Sequence, residues 1–302
     1  MNKFVSTTTN DPSVNLAIEE KLFKDTSTDV AIYLWQNQNT IVIGNNQSSF
    51  LECNIPSCKK DKVKIVRRMS GGGTVFHDLG NLNFTFIFNT SQHKIEEFLE
   101  LVIQSLASLG ISNIKSERND LLINGQKFSG HAYYRDGDRF LFHGTLLINS
   151  DLNRLSKYLT PSVTKLKNKG IDSVRKRVVN LSEIADVTVD MVKERIRLKT
   201  QEIFPNIESV TMDQRCCENL IGKYDDLKLL ESQNPDSSLR MDIKTKLGNF
   251  SLLIATKENR ITKLEIYSDA LKKPNYNDFI DSHVGKIFDE VSLRNDFVAN
   301  FD

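Results

Sequence analysis

Three consecutive glycines, Gly71–Gly73, sit between two apolar runs that read as strands, and this placement constrains the fold more than any other feature of the chain. The run before them, Val63–Arg67, leads into a pair of arginines, Arg67 and Arg68. The run after them, Thr74-Val75-Phe76, is β-branched and aromatic, and it leads into His77-Asp78 and the strand-like Leu82–Phe88. A glycine turn that opens a helix, as in a dinucleotide fingerprint, is therefore excluded, and no G-x-x-x-x-G-K-[ST] string occurs. A glycine triplet alone marks a tight turn. Flanked by Arg67, Arg68 and His77-Asp78, it points to backbone N–H groups wrapping an anion, with the arginines adding charge-assisted bonds to phosphate or carboxylate.

The surrounding pattern is mixed α and β. Asp11-Pro12 reads as a helix start, and Val14, Ala17, Ile18 and Leu22 mark one helix face. Ala31–Trp35 and Thr40–Gly44 read as strands joined in a hairpin. Ile95 to Leu109 repeats at helical spacing and stops at Gly110. Asn124-Gly125, between Asp120–Ile123 and Phe128–Tyr133, is a hairpin signal. Phe140–Ile148 reads as another strand, and Leu152–Leu159 and Thr188–Phe204 as helices. Asn206–Gln233 has few periodic apolar residues and reads as a connection. Three strand candidates (Leu239–Lys244, Phe250–Thr256, Ile261–Tyr267) and a helix around Tyr276–Phe288 follow. These patterns predict an α+β chain with a large mixed-sheet domain over 1–205, a linker over 206–217 and a small α+β domain over 218–302.

Composition narrows the class. Apolar residues make up 39% and charged residues 26% of the 302, values of a globular chain. No apolar run approaches the roughly 18 residues of a membrane span, and no signal peptide is visible, so a cytoplasmic protein is expected, or a mitochondrial one if a presequence was removed. The net charge of +1 gives no argument for nucleic acid. Basic clusters at Lys165–Lys169 and Arg175–Arg177 read either as solvated faces or as anion contacts. Cys53, Cys58, Cys216 and Cys217 match no zinc spacing and read as reduced thiols. Lys127 just after a hairpin turn, and His143 within an apolar strand, are by themselves compatible with an exposed cation and a structural histidine.

Taken together and in order, these strings resemble the lipoate–protein ligase family, which shares its fold with biotin protein ligases. The matching pieces are Asn15-Leu16-Ala17 with Glu19-Glu20, Trp35, Val42-Ile43-Gly44 with Gln47, Glu52-Cys53-Asn54, Arg67–Asp78, Asn81 and Arg118-Asn119-Asp120. Lys127 with Ser129-Gly130, His143–Leu147, Asp151-Leu152, Gly170–Arg175 and Val178–Leu181 complete the series. The last 80 or so residues resemble, more weakly, the accessory domain of the two-domain ligases.

The resemblance implies a large mixed-sheet catalytic domain and a two-step reaction. ATP and lipoate give lipoyl-AMP and pyrophosphate, and the lipoyl group then passes to a lysine of an acceptor, the glycine-cleavage H protein or an E2 subunit of a 2-oxoacid dehydrogenase. It implies Lys127 as the central residue. Arg68, Gly73, Thr74, Val75, Phe76, Asn119, Asp120, His143 and Thr145 would hold ATP or the adenylate, and Trp35, Gly72, His77 and Lys127 the lipoate. Asp120 could take Mg²⁺, and the loop around 165–177 would cover the adenylate. A monomer is expected. The chain departs from the family pattern at Asn45, His131 and the absence of any Trp but Trp35. The rival readings are a lipoyltransferase using preformed lipoyl-AMP, an amidotransferase using a thioester on Cys53 or Cys58, and a non-catalytic protein that docks lipoyl domains.

Overall fold

The structure is a computed structural model that describes residues 1–159, 177–224 and 239–302. The basic clusters at 165–169 and 175–176, and the loop that carries them, lie outside the described residues. In chain order the first half holds β1 (Lys3–Thr7), α1 (Pro12–Lys24), β2 (Ala31–Trp35), β3 (Thr40–Ile43), α2 (Ser49–Glu52), α3 (Ile55–Lys60), β4 (Lys64–Arg67), β5 (Val75–His77), β6 (Asn81–Asn89) and α4 (Ile95–Ala107). Then come β7 (Lys115–Glu117), β8 (Asp120–Ile123), β9 (Gln126–Asp136), β10 (Arg139–Leu147), α5 (Leu152–Tyr158), α6 (Val189–Ile203), β11 (Glu208–Met212) and α7 (Glu218–Ile221). The small unit has β12 (Leu239–Lys244), β13 (Asn249–Lys257), β14 (Arg260–Ser268), α8 (Asn277–His283) and α9 (Glu290–Phe301). The α+β class with a large mixed sheet is as expected.

The large sheet runs β11-β1-β2-β6-β10-β9-β8-β7, parallel at one edge and antiparallel beyond β2. Strand β6 shows why it folds as a two-sided layer. Leu82, Phe84, Phe86 and Phe88 point to one face, where α4 and α6 contribute Phe98, Val102, Val192 and Ile196. Ile87 points to the other, where α1 buries Val14, Ala17, Ile18 and Leu22. The polar members of that second face, Asn83 and Thr85, are also buried, and they mark where the site lies. The Asn124-Gly125 turn forms as expected, both residues having positive φ, and joins β8 to β9.

Two expectations fail. Ala31–Trp35 and Thr40–Gly44 do not pair. Both strands are buried along their whole length, so each needs two neighbours: β2 takes β1 and β6, while β3 sits between β4 and β5 in a separate three-stranded sheet. The stretch Asn206–Gln233 is more than a connection where it is described. Its β11 extends the large sheet beside β1, and Cys217 and Tyr224 join the core under α1. Its short strand shows no alternation strong enough to read. The sequence pattern does not announce helix α9 either. It buries only Leu293 and Phe297, one pair spaced i, i+4 on an otherwise polar helix.

Glu20 ties this late segment to α1. Its carboxylate accepts from Lys24 Nζ (2.7 Å), Lys223 Nζ (2.9 Å) and the Tyr224 hydroxyl (2.5 Å). Burial alone would raise its pKa, but these donors outweigh it and hold the group at about 2, against 4.5 ordinarily. The unfolded chain therefore takes up a proton before the folded one does. The stabilisation is complete above pH 4.5 and fades as the pH falls toward 2. Glu20→Gln should unfold about 2–3 kcal/mol more easily at pH 7. Denaturant unfolding should show that gap closing with acid; a gap independent of pH would refute the assignment.

Candidate active site

On the α1 side of the large sheet, a cleft of about 1150 Å³ opens between β9, β10, the glycine triplet and two segments of the small unit. It brings together most of the residues singled out from the sequence. Trp35, Arg68, Gly72, Gly73, Thr74, Val75, His77, Asn119, Asp120, Lys127, His143 and Thr145 all line it. Phe76 does not: its ring is buried against Tyr158 in the core of the three-stranded sheet, 5.3 Å between centroids. The alternation of β5 turns it away from Val75 and His77.

The two arginines divide their work. Arg67 does not line the cleft. Its Nη1 donates to the carbonyls of Gly44 (3.0 Å), Asn45 (3.2 Å) and Gln47 (2.5 Å), bracing the turn after β3. Arg68 is buried under the triplet, and its Nη2 donates to the carbonyls of Gly71 (2.6 Å) and Gly73 (2.8 Å). Burial lowers its pKa to about 10, with the Glu19 carboxylate opposing, so the guanidinium stays charged at neutral pH. With the carbonyls turned inward onto a cation, the turn's shape is set by a fixed charge. Asp78 is likewise structural, its carboxylate accepting from the backbone N–H groups of Gly80 and Asp151.

A buried chain of hydrogen bonds extends from Arg68 across the floor. Arg68 Nε donates to Ser70 Oγ (3.0 Å), and Ser70 Oγ lies 2.6 Å from His143 Nε2. His143 Nδ1 lies 2.8 Å from Glu19 Oε1, which also accepts from Thr85 Oγ1 (2.6 Å); Thr85 in turn accepts from Trp35 Nε1 (3.0 Å). His143 therefore acts within a network under the cradle. Glu19 and Ser70 had no assigned role from the sequence, where a carboxylate on the apolar face of α1 was the available signal.

His77 is held by a second chain. Asn37 Oδ1 accepts from Asn15 Nδ2 (3.0 Å), so the Asn37 amide NH₂ is what meets His77 Nδ1 at 3.3 Å. The proton is thereby placed on Nε2, which is buried without a partner among the described residues. Burial, then the Arg68 charge, depress its pKa to about 3. The ring, which lines the cleft, is neutral. Beside it, the indole of Trp35 lies edge-to-face at 6.3 Å, and Leu16, Val42 and Ala132, to which the sequence assigned no site role, add apolar wall.

Lys127 sits at the polar end. Its Nζ meets Asp120 Oδ1 at 2.7 Å, and its backbone is fixed by hydrogen bonds with Arg177 and Val179. A Cβ on Gly130 would stand 2.6 Å from that Nζ, so the glycine leaves the ammonium its place. Thr145 Oγ1 holds the Gly130 backbone (3.3 Å to N). His131 N donates to the Asn119 carbonyl at 2.8 Å. No group of three or more possible metal ligands occurs among the described residues.

The far wall comes from the small unit and was not legible in the sequence. Ala270 O accepts from Gly72 N (3.3 Å) and Asn46 Nδ2 (3.1 Å), and Ser268 N donates to Asn46 O (2.8 Å). A Cβ on Gly71 would stand 2.3 Å from Ala270 O, so a side chain there would part the two units.

Residues 11–201 match the family model of the lipoyl protein ligase A/B catalytic domain. The chain belongs to this family. It is 39% identical over 298 residues to lipoate-protein ligase A of Bdellovibrio bacteriovorus, covering 94% of this chain and 87% of that one. Among solved structures it is similar to P. falciparum LipL1 in complex with lipoate (TM-score 0.75, 27% identity, 100% of this chain and 94% of that one). It is also similar to part of a bipartite lipoate protein ligase of Thermoplasma acidophilum studied with its E2 lipoyl domain (TM-score 0.63, 26% identity, 74% and 91%). The small unit lies outside the matched catalytic domain yet closes the cleft. No described helix is long and apolar enough to cross a membrane.

The geometry at His77 predicts that its ¹⁵N resonances stay those of a neutral ring protonated on Nε2 from pH 8 down to 5. A titration midpoint near 6.5 in an NMR pH series would refute the assigned burial.

Proposed function

We propose that this chain is an ATP-dependent lipoate–protein ligase. In the first step a carboxylate oxygen of lipoate attacks the α-phosphorus of ATP. The bond to the bridging oxygen breaks, and lipoyl-AMP and pyrophosphate result. In the second, a lysine amine of an acceptor attacks the acyl carbon, loses a proton, and expels AMP. The observation that carries this reading is the position of Lys127: a cation held at the junction of an apolar pocket and an arginine-braced glycine cradle, in one cleft.

The residues take the following roles. Trp35, Gly72, His77 and the apolar wall receive the lipoyl chain, and the Nε2–H of His77 is the one polar donor we place against it. Gly73, Thr74 and Val75 offer backbone to the nucleotide, while Arg68 acts from beneath by holding the cradle carbonyls. Lys127 holds carboxylate and phosphate together as a point charge and offsets the charge that gathers on oxygen in both steps. His143 and Thr145 position the cradle and the β9 backbone. Asp120 with Asn119 lies where phosphates would pass. A lone carboxylate beside a phosphate site fits Mg²⁺, which takes one or two carboxylates plus phosphate oxygens and would shield the phosphate charge.

We place the acceptors among lipoyl domains of E2 subunits and the glycine-cleavage H protein; the Thermoplasma ligase studied with its E2 lipoyl domain supports the first class. A thioester route on Cys53 or Cys58 is disfavoured, because both are buried in the core of the small sheet and neither lines the cleft. We also propose that the catalytic unit reaches as far as Tyr224, whose hydroxyl meets Glu20.

Incubation with ATP, Mg²⁺, lipoate and an acceptor domain should add one lipoyl group, read by intact mass. Lys127→Ala should abolish the gain with an unchanged melting curve; full activity would refute the central role. Gly130→Ala, which displaces the ammonium without removing it, should slow the reaction on the order of 10²-fold. Lipoate-dependent ATP–pyrophosphate exchange is expected. Its absence, with transfer from supplied lipoyl-AMP intact, would replace the ligase by a lipoyltransferase.

A further inference from the structure

Four lysines of the small unit, Lys244, Lys246, Lys272 and Lys273, line the same cleft as Lys127 and Arg118. Most of the charge among them is unbalanced. Asp120 answers Lys127 at 2.7 Å, and Asp302 lies 3.4 Å from Lys246. The small unit's own carboxylate in the cleft, Asp269, is committed to the backbone N–H and side-chain NH₂ of Asn249 (2.7 and 2.8 Å). Lys244, Lys272, Lys273 and Arg118 have no ion-pair partner among the described residues. The whole chain carries only +1, so this concave surface holds a local positive field rather than a share of a general one.

The lysines are also placed. Lys272 and Lys273 follow Ala270 and Leu271 directly, and Ala270 is fastened to Gly72 and Asn46 beside the cradle. Like charges gathered in one cleft repel each other until a polyanion fills the space between them. A concave pocket of this size admits a small, charge-dense polyanion rather than the face of a folded domain. Ammonium groups on flexible stems suit an anion that moves as it departs, since their three donors rotate with it.

We propose that Lys272 and Lys273, assisted by Lys244, form a pyrophosphate subsite. They hold the β- and γ-phosphates of the nucleotide and receive pyrophosphate as the bond to the α-phosphorus breaks and its electron pair leaves on the pyrophosphate oxygen. The small unit thus supplies the leaving-group site for activation, while the large unit supplies the acyl and adenylate sites. This rests on the ligase reading above. It has an asymmetric consequence: transfer from lipoyl-AMP involves no β- or γ-phosphate and is indifferent to these lysines.

The test uses the full chain carrying Lys272→Ala and Lys273→Ala together, with Lys272→Arg/Lys273→Arg as the charge-conserving control. Calorimetric titration with sodium pyrophosphate should show binding to the parent chain, roughly tenfold or more weaker binding to the alanine variant, and near-parent binding to the arginine variant. In ATP–pyrophosphate exchange, the alanine variant should need a correspondingly higher pyrophosphate concentration for half-maximal rate. Its transfer from synthetic lipoyl-AMP should stay within about twofold of the parent chain. Pyrophosphate affinity unchanged in the alanine variant, or no binding by the parent chain, overturns the subsite. So does an equal loss in both half-reactions with an unchanged melting curve. Binding that weakens as expected in a protein showing no exchange upholds the subsite and overturns the activation step instead.

Discussion

The buried guanidinium of Arg68 is the group on which the rest of the site depends. A charge out of water persists only where enough polarity surrounds it. Here it is met by the carbonyls of Gly71, Gly73 and Val42, by Ser70, and at longer range by the Glu19 carboxylate. That arrangement fixes the curvature of the glycine triplet and orients its backbone. It also passes through Ser70 and His143 to Glu19 on α1, and through Thr85 to Trp35 on β2. Strands β2, β6 and β10, the first helix and the glycine turn are thus locked by one polar system inside an otherwise apolar layer. Truncating one member leaves the others buried without partners, a cost well above the net worth of a single hydrogen bond.

The cleft is completed only by a second unit. The large unit supplies an apolar floor with a neutral histidine, a braced cradle and the Asp120–Lys127 pair; the small unit supplies the opposite wall and most of the unbalanced positive charge. The two meet through Ala270 and Asn46, against a glycine that has no room for a side chain. A site divided in this way separates demands that conflict. An acyl chain needs a dry pocket, whereas phosphates need exposed cations, and one continuous surface meets both poorly.

Much of this was legible in the chain because it is local. The turn at Asn124-Gly125, the helix stop at Gly110 and the strand-like environment of the glycine triplet follow from backbone preferences within a few residues. The ordered motifs placed nearly all the cleft-lining residues of the large unit. What failed depended on distant partners. The hairpin expected from β2 and β3 ignored that a strand buried on both faces seeks two neighbours, wherever they are in the chain. Strand β11 and helix α9 carry too few apolar residues to announce themselves, and they exist because β1 and the small-unit core offer them a surface. Arg67 and Arg68, adjacent and chemically identical, could not be told apart until alternation sent one beneath the cradle and the other to the turn after β3.

The sequence by itself determined the class of fold, the family, and the presence of a cation, a glycine cradle and a histidine in one chain order. Those properties are written in residue type and spacing, which act at short range. The tertiary structure alone decided which nitrogen of His77 carries the proton, that Asp120 answers Lys127, that Phe76 turns away, and that Lys272 and Lys273 enter the cleft. Apart from Asp120 and Lys127, which one hairpin brings together, each of these depends on groups far apart in sequence being brought within a few ångströms. Only the packed core, with its buried charges satisfied, settles those distances.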